Sequence, residues 1–458
     1  EAIHAIRMKI ALNEPNVVAP WLNYHEEKAQ LLNPHPIWNS WGILRIAQLL
    51  GVSDADTLVL FIRVFAECAL VIICILICRQ LIGFAPDYDS NKTTAAIFLG
   101  GYLGLDPGLV HLKPIISVLY GKGSNDYFIG FDRLASPSLD VLWFGIAIWS
   151  TLRLIQVADL PRWQQVALGG SIGFLLLLSP FYFLTYCCAL LIIGTVELAL
   201  NPSLIRDIFP FLLGILRWPL LGASIPAIVF LLKLRMLGET GIQDLLFARM
   251  QMQRTRELDL TFFQRTFTVL IAALMMILGA LKCRSPRKVL AILPACWAFI
   301  ALACYNHQLI TGRVLQNYHF DWPLGLLLGL GLVSLAICYF PRHLVPVSAF
   351  LFGLALSSHL LVSEHQKSRF TSFIASGSLS PPINPSLMQI AHRIVEKVKL
   401  SSAYFVTTDQ LELPLQYSSS WVPLTPFLMS IYPFTPEEIW NRYVLQGHLI
   451  GMSAEQLF

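Results

Sequence analysis

The chain has 458 residues, of which 55% are hydrophobic and only 13% are charged, and its mean hydropathy is +0.62. Soluble domains carry about a quarter charged residues, so this composition excludes an ordinary soluble domain. The formal net charge of +4 is small for such a length and provides no basic surface for nucleic acid.

Apolar runs long enough to cross a bilayer, which takes about 20 residues, recur along the chain. In chain order they are 57–78, 93–109, 138–157, 164–180, 182–200, 209–232, 266–282, 288–305, 323–340 and 344–362. The sequence therefore predicts an all-α polytopic membrane protein with about ten transmembrane helices. Because the chain begins at Glu1 without Met, we expect one further helix before residue 1.

Polar stretches flank this predicted transmembrane domain of residues 57–362. Residues 1–56 form a first loop that ends in an amphipathic stretch, Trp38 to Leu50, typical of an interfacial helix. Residues 363–458 read as a helix from Leu387, a short strand from Ala403 and a further helix opened by Thr435. This pattern predicts a small α/β tail that is incomplete at the end of the chain.

The orientation rests on the short loop Lys282 to Lys288, which carries four cations. Placing that loop inside also places 79–92, 158–163, 201–208 and 341–343 inside. The predicted outer segments are 1–56, 110–137, 233–265, 306–322 and the tail. The 233–265 loop is also rich in Lys and Arg, but it is long and contains acids as well.

All nine cysteines lie in or beside apolar segments. Neither a CxxC pair nor a Cys/His metal spacing occurs, so the pattern indicates neither a disulfide framework nor a zinc site.

The first outer loop offers carboxylates and imidazoles close to the membrane boundary. These candidate residues are Glu1, His4, His25, Glu26 and Glu27. Such groups suit base-assisted transfer to or from a lipid-linked substrate. The alternative is an ordinary solvated loop.

Three cationic or imidazole positions are further candidates for substrate binding. Arg63 lies one helical turn from Glu67 in the first span, which fits either a structural ion pair or a substrate contact. In the 110–137 loop, His111 and Arg133 precede the third span. Arg133 at this helix mouth can hold a phosphate by a charge-assisted fork, or it can simply anchor the topology.

The segment from Asn306 to Trp322 concentrates hydrogen-bonding side chains between two apolar spans. Its candidate residues are Asn306, Gln308, Gln316 and His319. Amides and imidazoles match sugar hydroxyls or a pyrophosphate, and Gly312 permits a tight turn. The alternative is a structural role in helix capping and interhelical polar contacts.

This layout resembles the GT-C class of polytopic glycosyltransferases, especially its bacterial members. The resemblance rests on the acidic first outer loop with its interfacial helix, on Arg63 and Arg133 at helix entries, on the Pro180 hairpin, and on the 306–319 loop. It implies an enzyme of the bacterial inner membrane, with the large loops and the tail extracytoplasmic. The implied donor is a polyprenyl-phosphate sugar, which fits the lack of a nucleotide-binding loop.

In that class an acid in the first outer loop serves as catalytic base or metal-linked carboxylate. The resemblance assigns this place to Glu1, with His4 beside it, and then to Glu26 and Glu27. It allows a divalent metal, although no ligand cluster here demands one. The usual paired Asp/Glu motif is not intact in this chain, so the alternative is a non-catalytic GT-C-like subunit or scaffold of a larger membrane complex. A transporter ranks third, because the sequence shows no convincing internal repeat and charges within the predicted spans are scarce.

Overall fold

The structure, a computed structural model, describes part of the chain. The described residues are 49–51, 55–83, 91–105, 138–156, 160–178, 180–200, 217–232, 235, 255–258, 274–275, 277–279, 281, 288–312, 320–357, 360, 385–398, 404–405, 415, 422–423, 441, 444–445 and 449.

Helices dominate the described residues. In chain order they are α1 (Ala55–Gly83), α2 (Lys92–Leu105), α3 (Ser138–Gln156), α4 (Arg162–Leu178), α5 (Pro180–Leu200), α6 (Arg217–Leu232), α7 (Lys288–Tyr305), the single turn α8 (Gln308–Thr311), α9 (Asp321–Tyr339), α10 (344–357) and α11 (Pro385–Val398). A 3₁₀ turn, Pro341–His343, joins α9 to α10. Two short strands, β1 (Tyr404–Phe405) and β2 (Val422–Pro423), pair in parallel.

Four of these helices contain segments long and apolar enough to cross a membrane. The segments are Val64–Gly83, Leu139–Gln156, Phe181–Ala199 and Trp322–Tyr339. A helix of this length rises by about 28 Å, which matches a hydrocarbon core of about 30 Å. Since lipid offers no partners to backbone N–H and C=O groups, an apolar run must form a helix there.

The chain divides into two compact units. The larger comprises Arg63–Phe230 and Arg254–His365, and the smaller comprises Glu1–Ile62, Leu231–Gln253 and Gln366–Phe458. In the larger unit α3 and α4 form a hairpin, and α7 packs against both α5 and α9. The central helix is α9, because 83% of Trp322–Tyr339 is buried within the protein, against 22% of Phe181–Ala199 in α5.

Glycines set the closest helix contacts of the larger unit. Gly100 lies against Ile75, and Gly104 lies against Val71, so α1 and α2 pack antiparallel. Gly169 lies against Pro219, and Gly173 lies against Ala223, so α4 and α6 run parallel. Small residues allow such backbone approach between helices in lipid, where van der Waals packing replaces the hydrophobic effect as the driving force.

In the smaller unit the described packing centres on α11. Ala391 of this helix and Leu415 are buried together, and Ile394 and Val395 pack against them. The predicted strand from Ala403 corresponds to β1 at Tyr404–Phe405. The predicted interfacial helix from Trp38 lies outside the described residues, apart from its last two positions. The predicted division at residues 56 and 362 stays a prediction.

Candidate functional site

Buried polar side chains of the described chain concentrate at one end of the larger unit. The residues in question are Asp140, Ser150, Thr185, Asn306, His307, Gln308, Ser334 and Ser348. Asp140, Thr185, Asn306, His307 and Gln308, together with the buried Tyr182, occupy that one end. We refer to these six residues as the polar end.

Four helix termini meet at the polar end. Phe320, fully buried ahead of α9, has its ring centroid 5.2 Å from that of Phe181 at the start of α5 and 6.3 Å from that of Tyr305 at the end of α7. Asp140 lies in the first turn of α3, one helical turn before Phe144, whose ring contacts the ring of Tyr182. The starts of α3, α5 and α9 therefore lie together with the end of α7.

Contacts between side chains extend this junction along α5 and α7. The Cys304 thiol donates to the Thr185 hydroxyl over 3.6 Å. The Tyr182 ring lies 5.7 Å from the ring of Phe144, centroid to centroid, in an edge-on arrangement. These polar groups are thus buried beside aromatic rings and do not lie in open solvent.

Two side-chain hydrogen bonds lie at the opposite ends of α3 and α9. Gln156 Nε2, at the end of α3, donates to the carbonyl oxygen of Gln80, near the end of α1, over 2.8 Å. The Tyr339 hydroxyl, at the end of α9, donates to the carbonyl oxygen of Leu278 over 2.8 Å. The end of α1 therefore lies beside the end of α3, away from the polar end.

The turn after α7 is closed by its own side chains. Asn306 Nδ2 donates to the carbonyl oxygen of Leu302 over 3.0 Å. Gln308 Nε2 donates to Asn306 Oδ1 over 3.3 Å and to the carbonyl oxygen of Glu257 over 3.1 Å. Gly312 ends α8 in the left-handed region, with φ at 69°, which is the usual C-terminal cap.

His307 is a buried neutral base within this turn. Its Nδ1 donates to the carbonyl oxygen of Cys304 over 2.8 Å, and its ring lies 5.2 Å from that of Phe320. Burial lowers the pKa of His307, and the weaker opposing effect is the hydrogen bond to Cys304. His307 is therefore an uncharged imidazole near neutral pH and does not provide a cation for a phosphate.

Two buried polar atoms of the polar end have no hydrogen-bond partner among the described residues. They are Gln308 Oε1 and the Tyr182 hydroxyl. The orientation of the Gln308 amide is fixed, because its Nε2 already faces two acceptors. A buried acceptor left unpaired costs about 1–3 kcal/mol, so a donor supplied by a bound molecule would stabilise this arrangement.

The structure places only some of the predicted site residues. Asn306 and Gln308 are buried at the polar end, and their internal hydrogen bonds match the structural alternative more closely than direct substrate contact. Arg63 lies in α1, but its side chain is not among those described. The following lie outside the described residues: Glu1, His4, His25, Glu26, Glu27, His111, Arg133, Gln316 and His319.

The sequence-based prediction of the site missed four members of the polar end, one of which, His307, lies between the two predicted residues Asn306 and Gln308. Asp140 carried a usable signal, because an ionisable residue in a predicted span is costly and marks a site. Tyr182 and Thr185 carried none, since both fit an ordinary apolar helix. Among the described residues, no group of three or more His, Cys, Asp or Glu side chains is placed to hold a metal ion.

Within the described part of the chain, these features define the class of the protein as helical, with four helices able to cross a membrane and a buried polar end where helix termini meet. No family model matches the chain, and no curated protein sequence matches it. The function is therefore inferred from the chemistry of its own residues.

Proposed function

We propose that this chain is a multi-pass membrane protein of about ten transmembrane helices with a small α/β tail. We further propose that it transfers a sugar from a polyprenyl-phosphate-linked donor to an acceptor at the outer face of a bacterial inner membrane. The observation that supports this proposal is the polar end, where a buried acid, a phenol and an unpaired amide oxygen meet at the ends of apolar helices.

The polar end adjoins the two loops that carry the predicted substrate-binding residues. Asp140 follows Arg133 by seven residues, and Phe320 directly follows His319. The start of α3, after the 110–137 loop, and the helix ends that flank the 306–322 loop meet at Phe320 and Tyr182, whereas a hydrogen bond from Gln156 to Gln80 lies at the opposite end of α3. This alternation supports the proposal that both loops face the outer side.

The proposed reaction needs a base, an oxyanion partner and groups that hold the sugar. In it, a carboxylate of Glu1, Glu26 or Glu27 accepts the proton of the acceptor hydroxyl. The acceptor oxygen bonds to the anomeric carbon, while the bond from that carbon to the phosphate oxygen breaks. Arg133 pairs with the departing polyprenyl phosphate, and Gln308 Oε1 accepts a hydrogen bond from a sugar hydroxyl.

The experiment uses the full chain in nanodiscs with undecaprenyl-phosphate hexoses and pentoses labelled in the sugar. Release of undecaprenyl phosphate is expected with at least one donor. The triple variant Glu1→Gln, Glu26→Gln, Glu27→Gln should lower turnover by about 10²-fold or more, which is typical for loss of acid–base catalysis. Arg133→Gln should lower it by a similar factor, because the departing phosphate loses its charge partner. Tyr339→Phe, which removes a hydrogen bond at the opposite end, is the matched control and should keep turnover.

A second candidate function is that of a non-catalytic subunit of a membrane complex. The observation that favours it is the internal bonding of the Asn306 and Gln308 amides, which occupies the donors that a substrate would need. No turnover with any donor, combined with equal binding of undecaprenyl phosphate and of uncharged undecaprenol, would overturn the enzyme proposal and leave this second one.

A further inference from the structure

Two arginines and two tryptophans lie where α4 and α6 approach each other. Arg162 and Trp163 open α4, and Arg217 and Trp218 open the described part of α6. The guanidinium carbon of Arg162 lies 5.3 Å from the centroid of the Trp218 ring, and that of Arg217 lies 5.4 Å from it. The indole ring of Trp218 therefore lies within the range of cation–π attraction of two guanidinium groups.

The glycine contact between α4 and α6 fixes this arrangement. Because Gly169 meets Pro219 and Gly173 meets Ala223, the two helices run parallel, and their first residues lie at the same end. That end is opposite the polar end, since α4 ends at Leu178 and α5 begins at Pro180 beside the polar end. The 17 residues of α4 span about 25 Å.

The charges at this end lack a counter-ion within the described chain. Arg162 and Arg217 are both exposed, and neither forms an ion pair with a described carboxylate. The first turn of α4 adds the partial positive charge of a helix N-terminus. Mutual repulsion of two guanidinium groups around one ring is relieved by an anion, and a phosphate suits the planar fork of Arg.

Apolar side chains continue from these charges along the outer face of α6. Leu221 is 53% exposed and Ile225 is 67% exposed, while the ring of Trp163 is 70% exposed. Exposed Trp beside basic residues is typical of the level of lipid headgroups. The surface therefore offers an anion site next to an apolar path, which fits a molecule with a charged head and hydrocarbon chains rather than a free ion.

We propose that Arg162 and Arg217, held around Trp218, bind the phosphate of an anionic glycerophospholipid. Its acyl chains lie along Leu221 and Ile225 of α6. The predicted orientation places this end on the inner side, where anionic lipids attract basic residues. The site is separate from the polar end, and it does not depend on the proposed sugar transfer.

The test is lipid selectivity of the full chain, measured by native mass spectrometry after equilibration in micelles with equal phosphatidylglycerol and phosphatidylcholine. An Arg at an anionic surface contributes about fivefold. The double variant Arg162→Gln, Arg217→Gln should therefore lose about 25-fold of the preference for phosphatidylglycerol. The matched control is Arg79→Gln with Arg342→Gln, which removes two exposed arginines from the same end and should keep that preference.

Equal selectivity of the double variant and the control overturns the proposal. Two further arms use the unaltered protein, so the outcome does not depend on the folding of a variant. The preference should fall steeply between 50 and 500 mM NaCl, because exposed charges are screened, and a preference independent of salt counts against the site. Glycerol 1-phosphate should not displace phosphatidylglycerol at equal concentration. Displacement would identify a site for free phosphate and overturn the assignment to a lipid.

Discussion

Two glycines of α4, three residues apart, provide a matched test of its contact with α6. A Cβ added at Gly173 would lie 2.7 Å from the Cα and 2.9 Å from the carbonyl oxygen of Ala223. A Cβ added at Gly170 would meet only the carbonyl oxygen of Gly222, at 3.7 Å, which is an ordinary contact. Gly173→Ala therefore forces the helices apart, whereas Gly170→Ala does not.

The size of the effect follows from these distances. Carbon atoms in contact lie about 3.5–4.0 Å apart, so the backbone at Ala223 must retreat by about 0.8 Å or more. Overpacking of this kind costs about 1–3 kcal/mol. Both substitutions gain the same helix propensity, about 0.5–1 kcal/mol, and this gain cancels when the two variants are compared.

The free energy of unfolding can be measured by far-UV circular dichroism as SDS is added to dodecyl maltoside micelles. Gly173→Ala should be about 1–3 kcal/mol less stable than Gly170→Ala, and Gly170→Ala should be at least as stable as the unaltered protein. If the two variants unfold at the same SDS fraction, then α4 and α6 do not make this contact, and the arrangement of Arg162 and Arg217 around Trp218 loses its basis.

Three further predictions concern side chains of α5, of α7 and of the turn that follows it. Cys188 lies one helical turn after Thr185, whose hydroxyl accepts a hydrogen bond from the Cys304 thiol, so copper phenanthroline should join Cys188 and Cys304 in a disulfide detectable by peptide mass mapping. Pairing of Cys304 with other cysteines instead would contradict the packing of α5 on α7. Because burial lowers the pKa of His307 in the folded state, the unfolded state takes up the proton first, and stability should decline as the pH falls below about 6.5. His307→Gln should flatten this decline and His343→Gln, at an exposed position, should not; equal slopes in the two variants would refute the assignment. Gln308→Glu places a carboxylate against two oxygens, which raises the pKa of that carboxyl in the folded state. The loss of thermal stability in this variant should therefore be larger at pH 8 than at pH 5. A loss independent of pH would show that the side chain reaches solvent.

For the four described helices able to cross a membrane, the sequence was sufficient because the cause of each helix is local. Each apolar run must satisfy its backbone within itself in lipid, and the predicted span 138–157 corresponds to Ser138–Gln156 in the structure. The span predicted at 323–340 corresponds likewise to Asp321–Tyr339. Ends shifted by a few residues, since Pro180 and Asp321 open helices slightly earlier than hydropathy alone indicates.

The candidate site was predicted less completely because its members come from distant parts of the chain. The sequence identified Asn306 and Gln308 as unusual, since polar residues beside an apolar run are conspicuous. It could not show that the Gln308 amide donates to the backbone at Glu257, 51 residues away. Nor could it show which atom, Oε1, is left without a described partner.

Composition and the length of its apolar runs thus determined that this protein is helical and has helices able to cross a membrane, since both properties follow from the transfer of local segments out of water. Which helix is central, which termini carry the polar end, and which glycines let α4 approach α6 were decided only by tertiary packing. A helix has several faces on which another helix can pack. Which face is used depends on contacts between segments that are far apart in sequence.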